Sequence, residues 1–425
     1  MRLLLALAAG LLGLAHARSA AGDRLLALLP SLDAADRYSL FLESLADRGF
    51  DVAVRAADNA SVALHIDDER VYDHAVLLAP AARKLADSAL LRFVDDGGNL
   101  LVAVDSSMTE IYRRLAAQFG VKFDKRDTRV VDHVHGLNSS AHAVVPSTQL
   151  ARNPAIFSQT DGTAPVYFKG VGHRYSADNP LLIPLLTGAR STYSASEAPK
   201  KKTDDVVLSG LSLGLVSAFQ TRANARLVFS GSTELFANTL MGKKRAANSP
   251  FAADVSQWVF QEKAVLRESA HRHFLAATGE RPENYRVAND IIYEVDLSVY
   301  YDDAWHPYIA DDVQFEAIML DPYIRTTLNH TGDGSTYRGH IKLPDRYGTF
   351  TFRVNYKRPG YSFVDIKDIV AIWPLRHDEY PRFLTAAYPY YASSFVMVIG
   401  FLSLCAVWLW NVEPHGKAAL AKKKA

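Results

Sequence analysis

The chain has 425 residues, of which 49% are apolar, and its 47 basic and 46 acidic side chains leave a net charge of +1. That length holds two or three domains with full cores, and the balanced charge, with no long basic block ahead of the C-terminal stretch, excludes nucleic acid as the partner. The single cysteine, Cys405, excludes disulfides and thiol chemistry from everything before it.

Residues 1–17 carry Arg2, the apolar run Leu3–Leu14 and then Ala15-His16-Ala17. This is the pattern of a cleavable signal peptide and is set aside from the fold. Arg24–Leu29 predicts a short strand, and Ser39–Arg48 a helix that places Phe41 and Leu45 inward. Asp51–Arg55 alternates, with Val52 and Val54 on one face, and Ala75–Ala79 is a continuous apolar run, as in a parallel strand buried on both faces. Ala86–Asp95 predicts a helix with Leu90, Leu91 and Val94 inward. Leu100–Val104 predicts the next strand, and Met108–Phe119 a helix with Ile111, Leu115 and Phe119 on one stripe. Strand–helix units of this length predict a doubly wound α/β domain.

The span 122–280 is less regular. Leu211, Leu213 and Leu215 alternate like a strand, Arg226–Ser230 looks like another strand, and Ala195–Asp205 is a charged surface loop. Phe251–Arg267 is read as a helix with Val255, Val259 and Leu266 inward, although Trp258 and Phe260 also fit strand alternation. The span completes the first domain and adds a small mixed unit, so that domain is taken as 18–280.

From Tyr285 the period becomes two: Ile291, Tyr293, Val295, Leu297 and Val299 alternate, as do Phe350, Phe352, Val354 and Tyr356. Turn residues at Asp321-Pro322, Thr331–Gly334, Pro344–Gly348 and Arg358-Pro359-Gly360 separate the runs. The span 281–382 therefore predicts an antiparallel β-sandwich. Residues 388–410 then form an uncharged stretch, long enough to cross a bilayer as a helix, with Tyr388, Tyr390 and Tyr391 at one end and Trp408 and Trp410 at the other. Gly400, Ser403 and Ala406 offer small positions where another helix could pack. The tail 411–425 carries Lys417, Lys422, Lys423 and Lys424 against Glu413. The positive-inside rule places it in the cytoplasm and the body in the lumen, a single-pass type I arrangement. Lys422 and Lys423 also match a dilysine signal for retrieval to the endoplasmic reticulum. In that compartment Asn59, Asn138 and Asn329, each in an Asn-x-Ser/Thr sequon, become candidate glycosylation sites.

Catalytic chemistry finds little footing. Ser106 and Ser107 sit at a strand-to-helix turn but lack the G-x-S-x-G frame of a nucleophile elbow, and Ser107-x-x-Glu110 reads as a capping box. The pairs His133-x-His135, with Asp132 and His142 nearby, and His271-x-His273 have metal-ligand spacing on a strand, yet they read better as surface and loop positions. Asp302-Asp303 and Asp311-Asp312 read as turn acids, and no Asp-x-Asp occurs in the sequence. No catalytic residue, metal or cofactor is expected.

Tyr285-Arg286-Val287, Trp305–Leu328 (WHPYIADDVQFEAIMLDPYIRTTL), Lys342–Tyr361 (KLPDRYGTFTFRVNYKRPGY) and Ala387–Phe395 (AYPYYASSF) closely resemble one family. It is the 48 kDa subunit family of dolichyl-diphosphooligosaccharide–protein glycosyltransferase, the oligosaccharyltransferase complex of the endoplasmic reticulum. The resemblance implies an N-terminal domain similar to glutamine-amidotransferase folds and a non-catalytic role. The implied complex transfers an oligosaccharide en bloc from dolichyl diphosphate to Asn-x-Ser/Thr of nascent chains. It further implies, as partners, the catalytic subunit, ribophorin-type subunits and a DAD1-like subunit. A membrane-anchored lumenal hydrolase of the α/β class is the alternative, and an adhesion receptor with a β-sandwich stem a third reading.

Overall fold

A computed structural model describes residues 19–59, 62–82, 84–137, 144–158, 164–196, 208–332, 334–380 and 382–411. The expected signal peptide, the Asn138 sequon, His142, most of the charged loop and the tail with Lys422 and Lys423 lie outside the described residues.

The first domain is built on one large sheet. Its strands are β1 (Arg24–Leu29), β2 (Asp51–Ala56), β3 (His74–Leu77), β4 (Asn99–Ala103), β5 (Val121–Phe123), β6 (His173–Tyr175), β7 (Leu182–Thr187), β8 (Gly214–Gln220) and β9 (Arg226–Ser230). The spatial order is β2-β1-β3-β4-β9-β8-β6-β5, with β7 also on β8. Pairing is parallel from β2 through β9 and antiparallel beyond. Helices cover both faces. Leu25, Ala27 and Leu29 of β1 pack with α1 (Ser39–Asp47) and α4 (Asn248–Val259), while Leu26 and Leu28 pack with α2 (Asp87–Asp95) and α3 (Glu110–Gln118). Alternation with period two thus feeds two cores, which is why the central strands read as unbroken apolar runs.

Several local expectations are corrected. In α2 it is Phe93, with Leu90 and Val94, that is buried, and Leu91 only borders the core. In α3 the buried set is Tyr112, Leu115 and Ala116; of the expected stripe, Leu115 and Phe119 just past the helix end are buried, and only Ile111 is not. Leu211 lies on a 3-10 turn, Gly210–Ser212, and the strand starts at Gly214. The helix expected over Phe251–Arg267 ends at Val259, because Gln261 and Ala264 take positive φ and turn the chain into a strand that carries Leu266.

That strand, β10 (Val265–Leu275), opens the sandwich. It is followed by β11 (Tyr285–Arg286), β12 (Asp290–Tyr301), β13 (Ala304–Pro307), β14 (Gln314–Ile318), β15 (Pro322–Thr327), β16 (Asn329–His330), β17 (Thr336–Lys342), β18 (Gly348–Tyr356) and β19 (Val364–Trp373). One sheet runs β10-β12-β17-β16 with β13 on β12, and the other β11-β19-β18-β14-β15. All pairs are antiparallel except β11 with β19. The expected inward residues Ile291, Tyr293, Val295, Leu297, Phe350, Phe352 and Val354 meet in one core. Tyr293 lies 4.7 Å from Phe315, and Phe315 lies 5.3 Å from Phe352.

The two domains are joined through the turn at residues 358–363. Gly360 takes φ +93°, and a Cβ there would sit 2.8 Å from Asn153 Nδ2, so glycine is required on both counts. Around it, Asn153 donates to the Pro359 carbonyl, Trp258 Nε1 to Gly360, Gln220 to Tyr361 and Asn224 to Phe363. Finally, α5 (Tyr388–Trp410) leaves the sandwich as a single apolar helix.

Candidate functional site

Ligands of doubly wound sheets bind beyond the carboxyl ends of the parallel strands. A cavity of about 190 Å³ lies there, lined by Arg37, Asp105, Ser106, Arg129, Lys169, Gly170, Thr233 and Glu234. Its acids are already engaged. Glu234 pairs with Arg37 and lies 3.7 Å from Lys169 Nζ, while Thr239 Oγ1 donates to its second oxygen. Asp105 Oδ1 accepts the Ser107 backbone N–H at 2.8 Å and the Ser107 hydroxyl at 2.6 Å. The capping-box expectation is therefore wrong: the residue before α3 is Thr109, whose hydroxyl donates to Ala82, and Ser107 is held by Asp105 two residues earlier. A nearby carboxylate outcompetes the helix end for the serine. The hydroxyl of Ser107 points its proton at a carboxylate that accepts two bonds, and among the described residues lining the cavity there is no histidine.

The histidine pairs are separated. His133 and His135 follow a strand in a turn and are exposed, with His135 near Asp132 and Ser191. His271 and His273 on β10 do share a face, and both approach Asp368 of β19. His273 Nδ1 bonds the Tyr285 hydroxyl at 2.6 Å and its Nε2 bonds Asp368 at 2.8 Å, while Arg281 donates to the same carboxylate oxygen at 3.0 Å. Burial pushes His273 below its ordinary value, although Asp368 pulls the other way. This is a sheet-to-sheet polar clasp. Among the described residues no group of three or more His, Cys, Asp or Glu could hold a metal ion.

The acidic pairs also resolve into structure. Asp302 and Asp303 both take positive φ in the tight turn between β12 and β13. Asp312 borders a groove at the seam between the domains, with Arg152, Asn153, Tyr308, Tyr356 and Arg358. It accepts from the Tyr356 hydroxyl at 2.9 Å and from Arg358 Nε at 2.6 Å. Burial pushes its carboxyl up, but these two bonds outweigh that and hold it below the usual carboxylate range.

Beside the seam sits the group that the sequence reading passed over. Arg226, at the start of the strand expected over Arg226–Ser230, is fully buried. Its Nη1 donates to Trp258 O and Lys263 O, its Nη2 to Ala264 O and Ser362 Oγ, and the guanidinium stacks 4.9 Å over Trp258. Burial pushes its pKa down to about 9, which still leaves it charged at neutral pH. A charged residue inside a run that otherwise has no solvent-facing position was the available signal.

Among the expected modification sites, Asn59 and Asn329 are exposed, the latter on the short edge strand β16. Thr385–Trp410 is apolar enough to cross a membrane and none of its most hydrophobic window is buried. Gly400, Ser403 and Ala406 lie on α5, where a Cβ built at Gly400 would meet nothing within 4 Å beyond its chain neighbours and the helix's own backbone, and the Ser403 hydroxyl returns to the Ile399 carbonyl.

The chain matches two family models, OST48 N-terminal domain over residues 16–262 and OST48 middle domain over residues 272–412. Three curated relatives are each called dolichyl-diphosphooligosaccharide–protein glycosyltransferase 48 kDa subunit. The one from Caenorhabditis elegans is 34% identical, covering 93% of this chain and 93% of the relative. That from Arabidopsis thaliana is 31% identical over 91% and 93%, and that from Danio rerio 34% over 91% and 92%. The hydrolase alternative gains no support from these names or from the sheet-end cavity.

Proposed function

We propose a role from one premise: the chain belongs to the family of the 48 kDa subunit of dolichyl-diphosphooligosaccharide–protein glycosyltransferase. It is a subunit of the oligosaccharyltransferase complex, serving protein N-glycosylation. Within that complex its role is accessory. It holds the assembly together while another subunit carries out transfer from dolichyl diphosphate to Asn-x-Ser/Thr. The observation that carries this reading is the sheet-end cavity, where Glu234 is tied to Arg37 and Asp105 to Ser107 instead of to a reacting group. The first domain is glutamine-amidotransferase-like, supported by its parallel β2-β1-β3-β4-β9 order with helices on both faces.

In this reading α5 anchors the chain in the endoplasmic-reticulum membrane, with both folded domains in the lumen and the tail in the cytoplasm. Its neighbours are the catalytic subunit and the ribophorin-type and DAD1-like subunits, contacted in part through the small residues Gly400, Ser403 and Ala406. The test is purification of the full chain in mild detergent, with identification of co-purifying chains and a transfer assay on an Asn-x-Thr peptide. The expected result is recovery of a multi-subunit transferase whose activity disappears from the separated 48 kDa chain. Recovery as a lone protein, or transfer by the isolated chain, would overturn it. Exchange of Tyr388–Trp410 for an unrelated span of equal length should lower partner recovery while the lumenal domains stay folded.

A further inference from the structure

One end of the second sandwich sheet carries apolar side chains that the fold leaves uncovered. At this end β14 turns into β15 through Met319-Leu320-Asp321, β18 begins at Gly348 after the loop that holds Tyr347, and β19 ends at Trp373. Register brings the three together: Ile318 lies opposite Thr351 and Gly348 opposite Ile372, so the hairpin tip, the loop and the strand end share one rim. Leu320 is 91% exposed, Tyr347 69% and Trp373 51%. Isolated exposed apolar residues are ordinary, but three from separate segments at one edge are not.

The same rim is where the chain departs for α5, and the departure is pinned. Leu375 packs on the sandwich core, Arg286 donates to the Pro374 carbonyl and pairs with Glu379, and Glu379 accepts the Arg376 N–H. Only residues 380–387 then remain before α5, and they reach roughly 30 Å even fully extended. Thr385–Ala387 already coil into a 3-10 turn, which shortens that reach. The connecting residues continue the same character, since Tyr380, Phe383 and Leu384 are exposed.

We propose that this rim rests on the bilayer that α5 crosses, with Leu320, Tyr347 and Trp373 seated among the lipid headgroups at the start of the acyl region. The proposal rests on α5 being the membrane anchor. Rings with an apolar body and a polar edge prefer that boundary, and Tyr388, Tyr390 and Tyr391 mark the same level on α5. Charge around the rim is balanced, Arg346, Arg376 and Arg382 against Asp321, Asp345 and Asp378. The contact is therefore apolar and needs no anionic lipid.

The native Cys405 makes the test direct, since it is the only cysteine in the chain. The full chain is reconstituted in phosphatidylcholine bilayers in three forms, each with one thiol carrying an environment-sensitive fluorophore. These are the native protein labelled at Cys405, Cys405→Ser with Leu320→Cys, and Cys405→Ser with Thr327→Cys. Thr327 is exposed at the opposite end of β15 and serves as the solvent reference. Lipid carrying a nitroxide near the headgroup should quench the label at 320 about two-fold, as expected for a boundary position, and leave that at 327 unchanged. If the label at Cys405 is quenched by deep nitroxide while the label at 320 behaves like that at 327, the rim proposal is overturned and the anchor stands. If the label at Cys405 meets no lipid quencher, the anchor reading itself fails and takes the rim with it. A label at 320 that leaves water only in the assembled complex, without lipid quenching, identifies a protein neighbour and also overturns the proposal.

Discussion

Arg226 is a cation in the interior whose charge is met by three carbonyls and a hydroxyl instead of a carboxylate. Removing it leaves those acceptors without a donor, and losses of this kind cost roughly 3–5 kcal/mol. Arg226→Ala should lower the free energy of unfolding by that amount, and Arg226→Lys should recover little, because one ammonium cannot reach two separated pairs of acceptors. Equal stability of the lysine variant and wild type in denaturant titration would show that charge alone, without the fork, suffices. The buried histidines give a second prediction. Burial pushes His74 down to about 4 and His173 down to about 3, against an ordinary value of 6.5. In the window between those values and 6.5 the unfolded chain binds the extra protons, so stability is fully present above pH 6.5 and is lost as pH falls. His173→Gln should flatten the slope of stability between pH 6.5 and 4, measured by denaturant midpoint at each pH.

At the scale of elements, periodicity was legible wherever one physical cause acted alone. The runs at β1, β3 and β9 and the alternation in β12 and β18 reflect burial on two faces or one, and α5 reflects its uncharged length. Legibility failed where a local competitor intervened. Nothing in Phe251–Arg267 distinguishes a long helix from a helix followed by a strand until Gln261 and Ala264 take left-handed backbone, which neither side chain announces. Ser107 had the right spacing for a cap, but Asp105 was closer. Ser107→Ala therefore removes one exposed hydrogen bond and no helix cap. The variant should lie within about 0.5 kcal/mol of wild type in thermal or denaturant unfolding. A loss near 1 kcal/mol would restore the capping interpretation.

For the whole molecule, the division into an α/β body, a sandwich and one apolar helix was readable from period and composition, but the seam between the folded parts was not. Asn153, Gln220, Asn224 and Trp258 are dispersed through the first domain, and only the tertiary fold gathers them on one turn of the second. Orientation across the membrane can be read from the exposed sequons. Asn329→Gln in a native host should remove one increment of glycosidase-sensitive mobility on a denaturing gel if β16 lies in the lumen. Asn59→Gln gives the same readout for the first domain. Glycan on neither asparagine, with the complex otherwise intact, would count against a lumenal body.

The socket that receives Arg226 also sets an order of events in time. Trp258, Lys263 and Ala264 follow it closely, but Ser362 lies 136 residues further on. At about 5–20 residues per second of synthesis, roughly 7–27 s pass between the two. During that interval the guanidinium lacks the Ser362 hydroxyl, and Trp258 and Asn224 lack the carbonyls to which they donate. The first domain of a growing chain is thus released to completion by the late turn of the second, and a ribosome stalled before residue 358 would hold an opened, protease-sensitive seam.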